Sequence, residues 1–359
     1  MTDHNSYTAS PIKDFRWHEV VRRRPKMFLR ETNIQGFIDN LKWILISSFN
    51  MSDADTFSFE CIDTHSGVLK FKNLKRPIKD CWSYWYQEPI FPFTLALPVL
   101  NALSEVFKVE LFDNKSSTLI KQEYVKGVLS EGTHLNNSIH ADQFTISFTL
   151  DKSIWEDSFI WHIDYINTEI KALAYLNKSV KFKTIYKLDN TLSQSNYYFK
   201  NGLYNKVELA KLKDRYSNNC PIIYLDQSLH GFNIEVAFFL SDSYRYPTLN
   251  SYVNGYTTTL HGSHVKGLLK GIIKGSKNYI TEHEPESNYR ITKAILKKNI
   301  VAEINIHLDF PSFRGATKEQ LDNPEIIKPI TQLISKSIYE ELIKDFAHAQ
   351  KLLSIFRIP

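Results

Sequence analysis

Hydrophobic and polar positions along this chain repeat with two different periods. In residues 33–50 (NIQGFIDNLKWILISSFN), Phe37, Leu41, Ile44, Leu45 and Ile46 crowd one side of a 3.6-residue repeat, which predicts an amphipathic helix. Two-residue alternation in 56–61 (TFSFEC) and 67–73 (GVLKFKN) predicts two strands. Residues 95–107 (LALPVLNALSEVF) are predicted helical, with Pro98 tolerated only in the first turn. Alternation resumes at 108–112, in LIKQEYVKG and at 144–149. A helix over 166–177 and a strand over 179–187 (SVKFKTIYK) follow. Residues 1–14 are polar and read as an extended arm.

A second block begins near residue 215. Strands are predicted at 221–225 (PIIYL), 232–240 (FNIEVAFFL) and 299–309 (NIVAEINIHLD), with a helix over 263–280 and a long final helix over roughly 324–355. Strands interspersed with helices in two blocks give an α+β chain. Its 359 residues are too many for one ordinary core and fit two domains.

Composition narrows the class. Apolar residues at 43% and charged residues at 23% are ordinary for a globular protein, and 23 Phe with 19 Tyr favour aromatic cores and strands over a helical bundle. A net charge of +5 permits a nucleic-acid partner without requiring one. Cys61, Cys81 and Cys220 form no CxxC pair, so neither a disulfide framework nor a zinc site is expected, and a reducing, cytoplasmic setting fits. The opening MTDHNSYTASPIKDF has no apolar run, and no stretch of about 18 apolar residues occurs, so neither a signal peptide nor a membrane span is expected.

Four segments, in order, carry a resemblance: VVRRRPKMFL at 20–29 (preceded by NSYTASPIK at 5–13), VLNALSEVFKVEL at 99–111, SYVNGYTTTLHGSHVKGLLKGIIK at 251–274, and VAEINIHLDFPSFRGATKEQLDNPEI at 301–326. Together they resemble the N-terminal ATPase and transducer segment of the gyrase and topoisomerase IV B-subunit family, within the GHKL superfamily. The resemblance implies a Bergerat-type α/β sandwich over 15–214 and a transducer domain of ribosomal-protein-like α/β fold over 215–359. The arm at 1–14 would reach a second protomer through Asn5, Ser6, Tyr7 and Ile12. The implied partners are a second copy of the chain, gyrase or topoisomerase IV subunits, and double-stranded DNA.

An ATPase of this kind needs a carboxylate to activate water, an Asn for magnesium, an Asp to read adenine, and glycines that let backbone approach phosphates. The resemblance puts Trp43 at the position of the base, Ser47 at the magnesium ligand and Leu74 at the adenine reader. Phe91, Thr94 and Ala96 replace the phosphate-loop glycines, and KDCWSYWYQEP at 79–89 stands where the family has a lid. Remnants survive at Arg76, Thr133, Tyr7 and the transducer lysine, Lys318, although Ala316 replaces the Gln two residues before it. The expectation is a pseudo-ATPase with a filled pocket and no cofactor. Glu60 and Glu88 are the nearest replacement bases for an active enzyme, and the aromatic stretch 82–93 is the natural surface for a purely structural docking subunit.

Other chemistry is sparse. His261 and His264 in LHGSH lack i, i+4 helical spacing and an acidic neighbour, so they read as structural rather than as metal ligands. TEHEPE at 281–286 reads as a solvated acidic loop. Lys266, Lys270 and Lys274 follow at four-residue spacing with Lys277 close by, and are candidates for contacts to DNA phosphates. Arg22, Arg23 and Arg24 read first as structural. No EGDSA motif or acidic metal-binding cluster of a DNA-cleavage domain occurs, so strand passage by this chain alone is not expected.

Overall fold

The computed structural model of the protein describes residues 16–52, 54–73, 96–113, 118–136, 143–188, 191–213, 221–241, 246–315 and 317–358. In chain order the elements are α1 (Trp17–Arg23), α2 (Pro25–Leu29), α3 (Ile34–Ser52), β1 (Thr56–Cys61), β2 (Ser66–Lys72), α4 (Ala96–Ala102), β3 (Ser104–Asp113), β4 (Thr118–Val125), β5 (Val128–Asn136), β6 (Gln143–Leu150), α5 (Ile163–Leu176), β7 (Lys181–Leu188) and β8 (Thr191–Tyr197). Then come α6 (Leu203–Leu212), β9 (Ile223–Leu229), β10 (Phe232–Leu240), β11 (Thr248–Val253), β12 (Tyr256–Thr257), α7 (Ser263–His283), α8 (Lys293–Lys298), β13 (Ile300–Leu308), α9 (Ile327–Lys344) and α10 (Phe346–Leu353). No helix among the described residues is long and apolar enough to cross a membrane.

The described residues up to Lys171, with Val180–Tyr197, form one compact unit, and Ala172–Ser179 with the residues from Tyr198 onward form another. The junction expected at 214/215 falls outside the described residues, as does the arm at 1–14. Helix α6 belongs to the second unit, where Leu203 and Val207 pack on Ala237, Phe239 and Val301.

The first unit is built on an eight-stranded sheet in the order β5-β4-β3-β6-β2-β1-β7-β8, antiparallel except where β1 meets β7. Alternation sorts the two faces. Phe57 and Phe59 of β1, Phe71 of β2 and Phe182 of β7 are no more than 1% exposed, while Thr56, Ser58, Lys70, Lys72 and Lys181 lie on the opposite face. Helix α3 covers the apolar face. Its Phe37 meets Phe59, Phe148, Trp155, Phe159 and Trp161, with ring centroids 5.0 to 6.2 Å apart.

One buried ion pair fastens the start of this unit. Arg22 donates to the Ala102 carbonyl at 2.8 Å and to Asp151 at 2.5 Å, so α1, α4 and the end of β6 share one guanidinium. Burial alone pushes the Asp151 carboxyl up, but hydrogen bonds from Ser153 and Arg22 outweigh it and hold the pKa at about 2.

The second unit has a five-stranded sheet, β12-β11-β13-β10-β9, with β11 and β13 parallel. Helices α7 and α9 pack together over the side chains of Ile234, Val236, Phe238, Ala302, Ile304 and Ile306. Their contact is set by a four-residue repeat. Gly267, Gly271 and Gly275 face Ile330, Ile334 and Ile338, and a Cβ on Gly271 would stand 2.5 Å from the Cβ of Ile334. A glycine costs helix propensity, so a repeated one in a helix interior marks a close approach of neighbours.

Three sequence-based elements change. The helix expected over 95–107 stops at Ala102, because Val106, Phe107, Val109 and Leu111 enter the alternation of β3 and pair with β6. The expected final helix of 324–355 is a 3-10 turn (Pro324–Ile326), α9 and α10, broken at an extended Asp345 whose carboxylate accepts from Ala347 N at 2.9 Å and caps α10. Residues 281–283 of TEHEPE are not loop but the last turn of α7, where Glu282 accepts from the Tyr339 hydroxyl at 2.5 Å.

Two outcomes follow for stability. Gly271→Ala should lower it by about 1–3 kcal/mol through overpacking, read as a fall in the urea midpoint, and Ile334→Ala in the same chain should recover part of that loss in a double-mutant cycle. Asp151, with its folded pKa below the unfolded value of 3.8, contributes stability that is present above about pH 4 and is lost as pH falls toward 2. Replacing Asp151 with Asn should remove about 2 kcal/mol of that acid-dependent component, measured by urea unfolding across pH 2 to 6.

Candidate functional site

The residues expected to line a nucleotide site start on α3. Trp43 and Ser47 sit one turn apart on its half-buried side. The helix carries no glutamate, and its one acid, Asp39, accepts from Gln35 at 3.1 Å and lies 4.0 Å from Lys42. Its buried amide, Asn40, donates to the carbonyl of Ala96 at 2.9 Å. Among the described residues, no carboxylate base projects from the turn that holds Trp43 and Ser47.

Beneath the far end of α3 the sheet is filled with rings. Phe49 of α3 lies 5.3 to 6.1 Å, centroid to centroid, from Phe57, Phe71 and Phe182, and Phe71 stacks on Phe144 of β6 at 5.7 Å. These five phenylalanines lie where β2 leads into residues 74–78. Leu74 and Arg76 themselves lie outside the described residues, as do Tyr7, Asn5, Ser6, Ile12, Glu88 and the stretch 82–93.

Of the remnants, Thr133 alone falls among the described residues of the first unit. Thr133 is on β5, the sheet's edge strand, four strand spacings from β2, or about 19 Å. The strand beside β2 is β6, which brings Phe144 and Thr145 to that position. Sequence reading missed them, although their alternating run was visible. Glu60 follows Phe59 on β1 and so faces away from α3, where Lys70 at 2.9 Å and Lys187 at 3.4 Å hold it. Those two lysines outweigh burial and lower its pKa. It is not placed to act as a base on the α3 side.

Lys318 belongs to the second unit. Its backbone is left-handed at φ 56°, a conformation that non-glycine residues seldom adopt, and its buried Nζ lies 6.0 Å from the ring centroid of Tyr256. Burial lowers its pKa. Lys266, Lys270, Lys274 and Lys277 all lie exposed on α7, the first three one position ahead of the glycines that face α9. The stripe expected from the sequence is therefore held at a fixed angle by the helix contact.

The two histidines of LHGSH enter a hydroxyl cluster. The turn is made by Gly262, whose φ of 138° and close approach to the Leu321 backbone exclude a side chain. His261 Nδ1 meets Ser251 Oγ at 2.9 Å, and His264 Nε2 meets Thr258 Oγ1 at 3.3 Å. Thr258 donates to the Ser251 carbonyl at 3.0 Å, so it accepts from His264 Nε2, which leaves Nδ1 as a buried acceptor with no partner among the described residues. Burial, and secondarily His261, hold His264 down at about 3. No group of three or more His, Cys, Asp or Glu among the described residues is placed to hold a metal ion. A separate cavity of about 320 Å³ lies in the first unit, lined by Trp17, His18, Pro98, Asn101, Phe107 and Tyr124.

Known proteins of the same architecture give this geometry its context. The family model described as DNA gyrase B matches residues 163–357, more than half of the chain. The DNA gyrase B protein of Streptococcus pyogenes serotype M3 is 23% identical over 375 residues, covering 97% of this chain and 57% of the relative. Its counterpart in Helicobacter pylori strain J99 is 24% identical over 94% of this chain and 46% of the relative. The chain thus spans about half the length of the curated relatives it matches. Among solved structures, the 43K ATPase domain of Thermus thermophilus gyrase B, in complex with an aminocoumarin, superposes with a TM-score of 0.74 at 17% identity, covering 94% of this chain and 92% of that one. The topoisomerase IV ATP-binding domain of Francisella tularensis gives 0.76 at 18%, covering 94% and 95%. The two-part α+β fold expected from the sequence is the fold of these structures.

Because the His264 pKa is depressed in the folded chain, stability is full above about pH 6.5 and declines as pH falls from there toward 3. The decline from this group is roughly 1.4 kcal/mol per pH unit. His264→Gln should flatten the pH dependence of the urea midpoint between pH 6.5 and 5 while leaving a folded chain by far-ultraviolet circular dichroism.

Proposed function

The chain belongs to the DNA gyrase B family, and on that premise we propose that it is a non-catalytic, gyrase-B-like protein that neither binds nor hydrolyses ATP. It acts as a constitutive dimer that binds double-stranded DNA and modulates a gyrase or topoisomerase IV. The observation that carries the reading is the state of α3 and the sheet under it. The resemblance puts Trp43 and Ser47 at the positions of base and magnesium ligand, Asn40 donates to the Ala96 carbonyl, and five phenylalanines pack beneath the far end of α3. A desolvated floor of rings lacks the acceptor that reads an adenine amino group, and Trp donates only through its indole N–H.

The DNA part of the reading rests on Lys266, Lys270, Lys274 and Lys277, exposed along one α7 face, and on Lys318 kept in the second unit. The dimer part rests on the arm residues Asn5, Ser6, Tyr7 and Ile12 of the sequence. Without a nucleotide to switch it, a dimer of this kind would stay in one state. Its topoisomerase partner would be recognised through the shared fold, as a surrogate for a genuine gyrase B protein.

Calorimetric titration with magnesium-ATP tests the central claim. No heat of binding is expected at micromolar protein and millimolar nucleotide, and no phosphate release with or without DNA. Micromolar affinity, or DNA-stimulated phosphate release, would show a working site and end the reading.

A further inference from the structure

The apolar face of the first unit's sheet is covered by helices, but the polar face has a charge distribution of its own. Its two halves differ. On β3, β4 and the turn after it, each cation has an acidic partner: Lys108 with Glu123 at 2.8 Å, Lys121 with Glu110 at 2.8 Å, and Lys126 with Glu105 at 3.1 Å. On β2, β1 and β7 the same face carries Lys70, Lys72, Lys181, Lys183 and Lys187. Its one central acid, Glu60, is shared by Lys70 and Lys187. Asp55, at the margin, hydrogen-bonds Thr56 and Asn73 at 2.8 Å each. Lys72, Lys181 and Lys183 have no acidic partner among the described residues.

The register arranges these cations. Thr56 of β1 is paired with Lys72 on one side and Lys181 on the other, and Ser58 is paired with Lys70 and Lys183. Four lysines therefore bracket a central row of hydroxyls. The two lysine rows are two strand spacings apart, about 10 Å, and successive lysines in a row are about 7 Å apart. Thr145 of β6, paired with Lys70, adds a further hydroxyl to the same face.

We propose that this half-sheet binds the phosphate backbone of double-stranded DNA, with the two lysine rows on phosphates flanking one groove and the Thr56 and Ser58 hydroxyls between them. The row separation lies between the widths of the minor and major grooves, about 6 and 12 Å, and lysine stems supply the remaining reach. A duplex is favoured over a single strand because no aromatic side chain of β1, β2, β6 or β7 lies on this face, among the paired positions that carry the lysines, to stack an unpaired base. Lysines and hydroxyls that meet phosphates position a duplex without reading its sequence. The inference rests on the reading of the chain as a DNA-binding protein but places a second contact on a different unit from α7.

The test uses the full chain. Anisotropy of a labelled 30-base-pair duplex is followed at several salt concentrations for three proteins: the unaltered chain, Lys72→Glu/Lys181→Glu/Lys183→Glu, and Lys266→Glu/Lys270→Glu/Lys274→Glu. The sheet variant should bind at least about tenfold more weakly near 0.1 M salt, with the slope of log K against log salt reduced by about two to three. Reductive methylation read by mass spectrometry should show Lys72, Lys181 and Lys183 protected by duplex, and polyglutamate at equal charge should protect them less. Unchanged affinity and slope in the sheet variant, with these lysines equally reactive with and without DNA, would overturn the proposal. If only the α7 variant weakens, the second contact is wrong and the general DNA reading stands. If only the sheet variant weakens, the proposal stands and the α7 contact is wrong. If the unaltered chain binds no duplex, both fall. Equal protection by polyglutamate would assign the face to an acidic protein instead and overturn the DNA assignment.

Discussion

The first unit depends on one packing contact, the seating of α3 on the sheet through Phe37 and Phe49. These rings stand twelve residues apart on the helix, and each enters its own aromatic cluster. Phe37 meets Phe59, Phe148 and the indoles of Trp155 and Trp161, and Phe49 meets Phe57, Phe71 and Phe182. Such rings bury large areas and gain further from edge-to-face geometry. The same contact accounts for the chemistry of the region. A helix seated this tightly over phenylalanine meets the sheet at that end through rings rather than polar groups, whereas the opposite side of the sheet carries the lysines and hydroxyls.

The second unit is organised by a different constraint, the close approach of α7 to α9. Here the sheet supplies a floor of branched aliphatics, and the helices meet through glycine on one side and isoleucine on the other. Several polar residues of this unit are buried all the same, among them Ser276, Ser335 and His264, and burial keeps the His264 imidazole neutral. Glu303 on the α6 side is saturated, taking bonds from Lys206, Tyr252 and Asn250. Buried polar groups in this unit are mostly matched, as such groups must be in a low-dielectric interior.

Much of the fold was legible because alternation and helical period are local. β1, β2, β10 and β13, and the start of α7, fall within a residue or two of where the pattern puts them. The failures came where a nonlocal partner decided the outcome. Val106 and Phe107 carry helix and strand patterns equally well, and only pairing with β6 commits them to β3. Asp345 in the final helix looked like one more polar position, yet its carboxylate capping Ala347 N restarts the helix. Helix α6 has a weak apolar side of two residues, Leu203 and Val207, and escaped the sequence reading for that reason. The candidate site was legible only as placement, since local spacing puts Trp43 and Ser47 on the half-buried side of α3 and the lysines on one exposed face of α7. It was not legible where strand order mattered, because a motif such as EGTHL carries no record that β5 lies at the edge.

The repeat that joins α7 to α9 has a mechanical consequence. Each glycine is a notch and each isoleucine a tooth, and the notches recur every four residues. A slide of one notch, about 6 Å at 1.5 Å per residue, would carry an outer tooth off the glycines and onto Ser263 or Tyr279. Intermediate displacements would press branched side chains against helix backbone. The pair is thus keyed to a single register, and that register also fixes where the lysines one residue ahead of each notch stand.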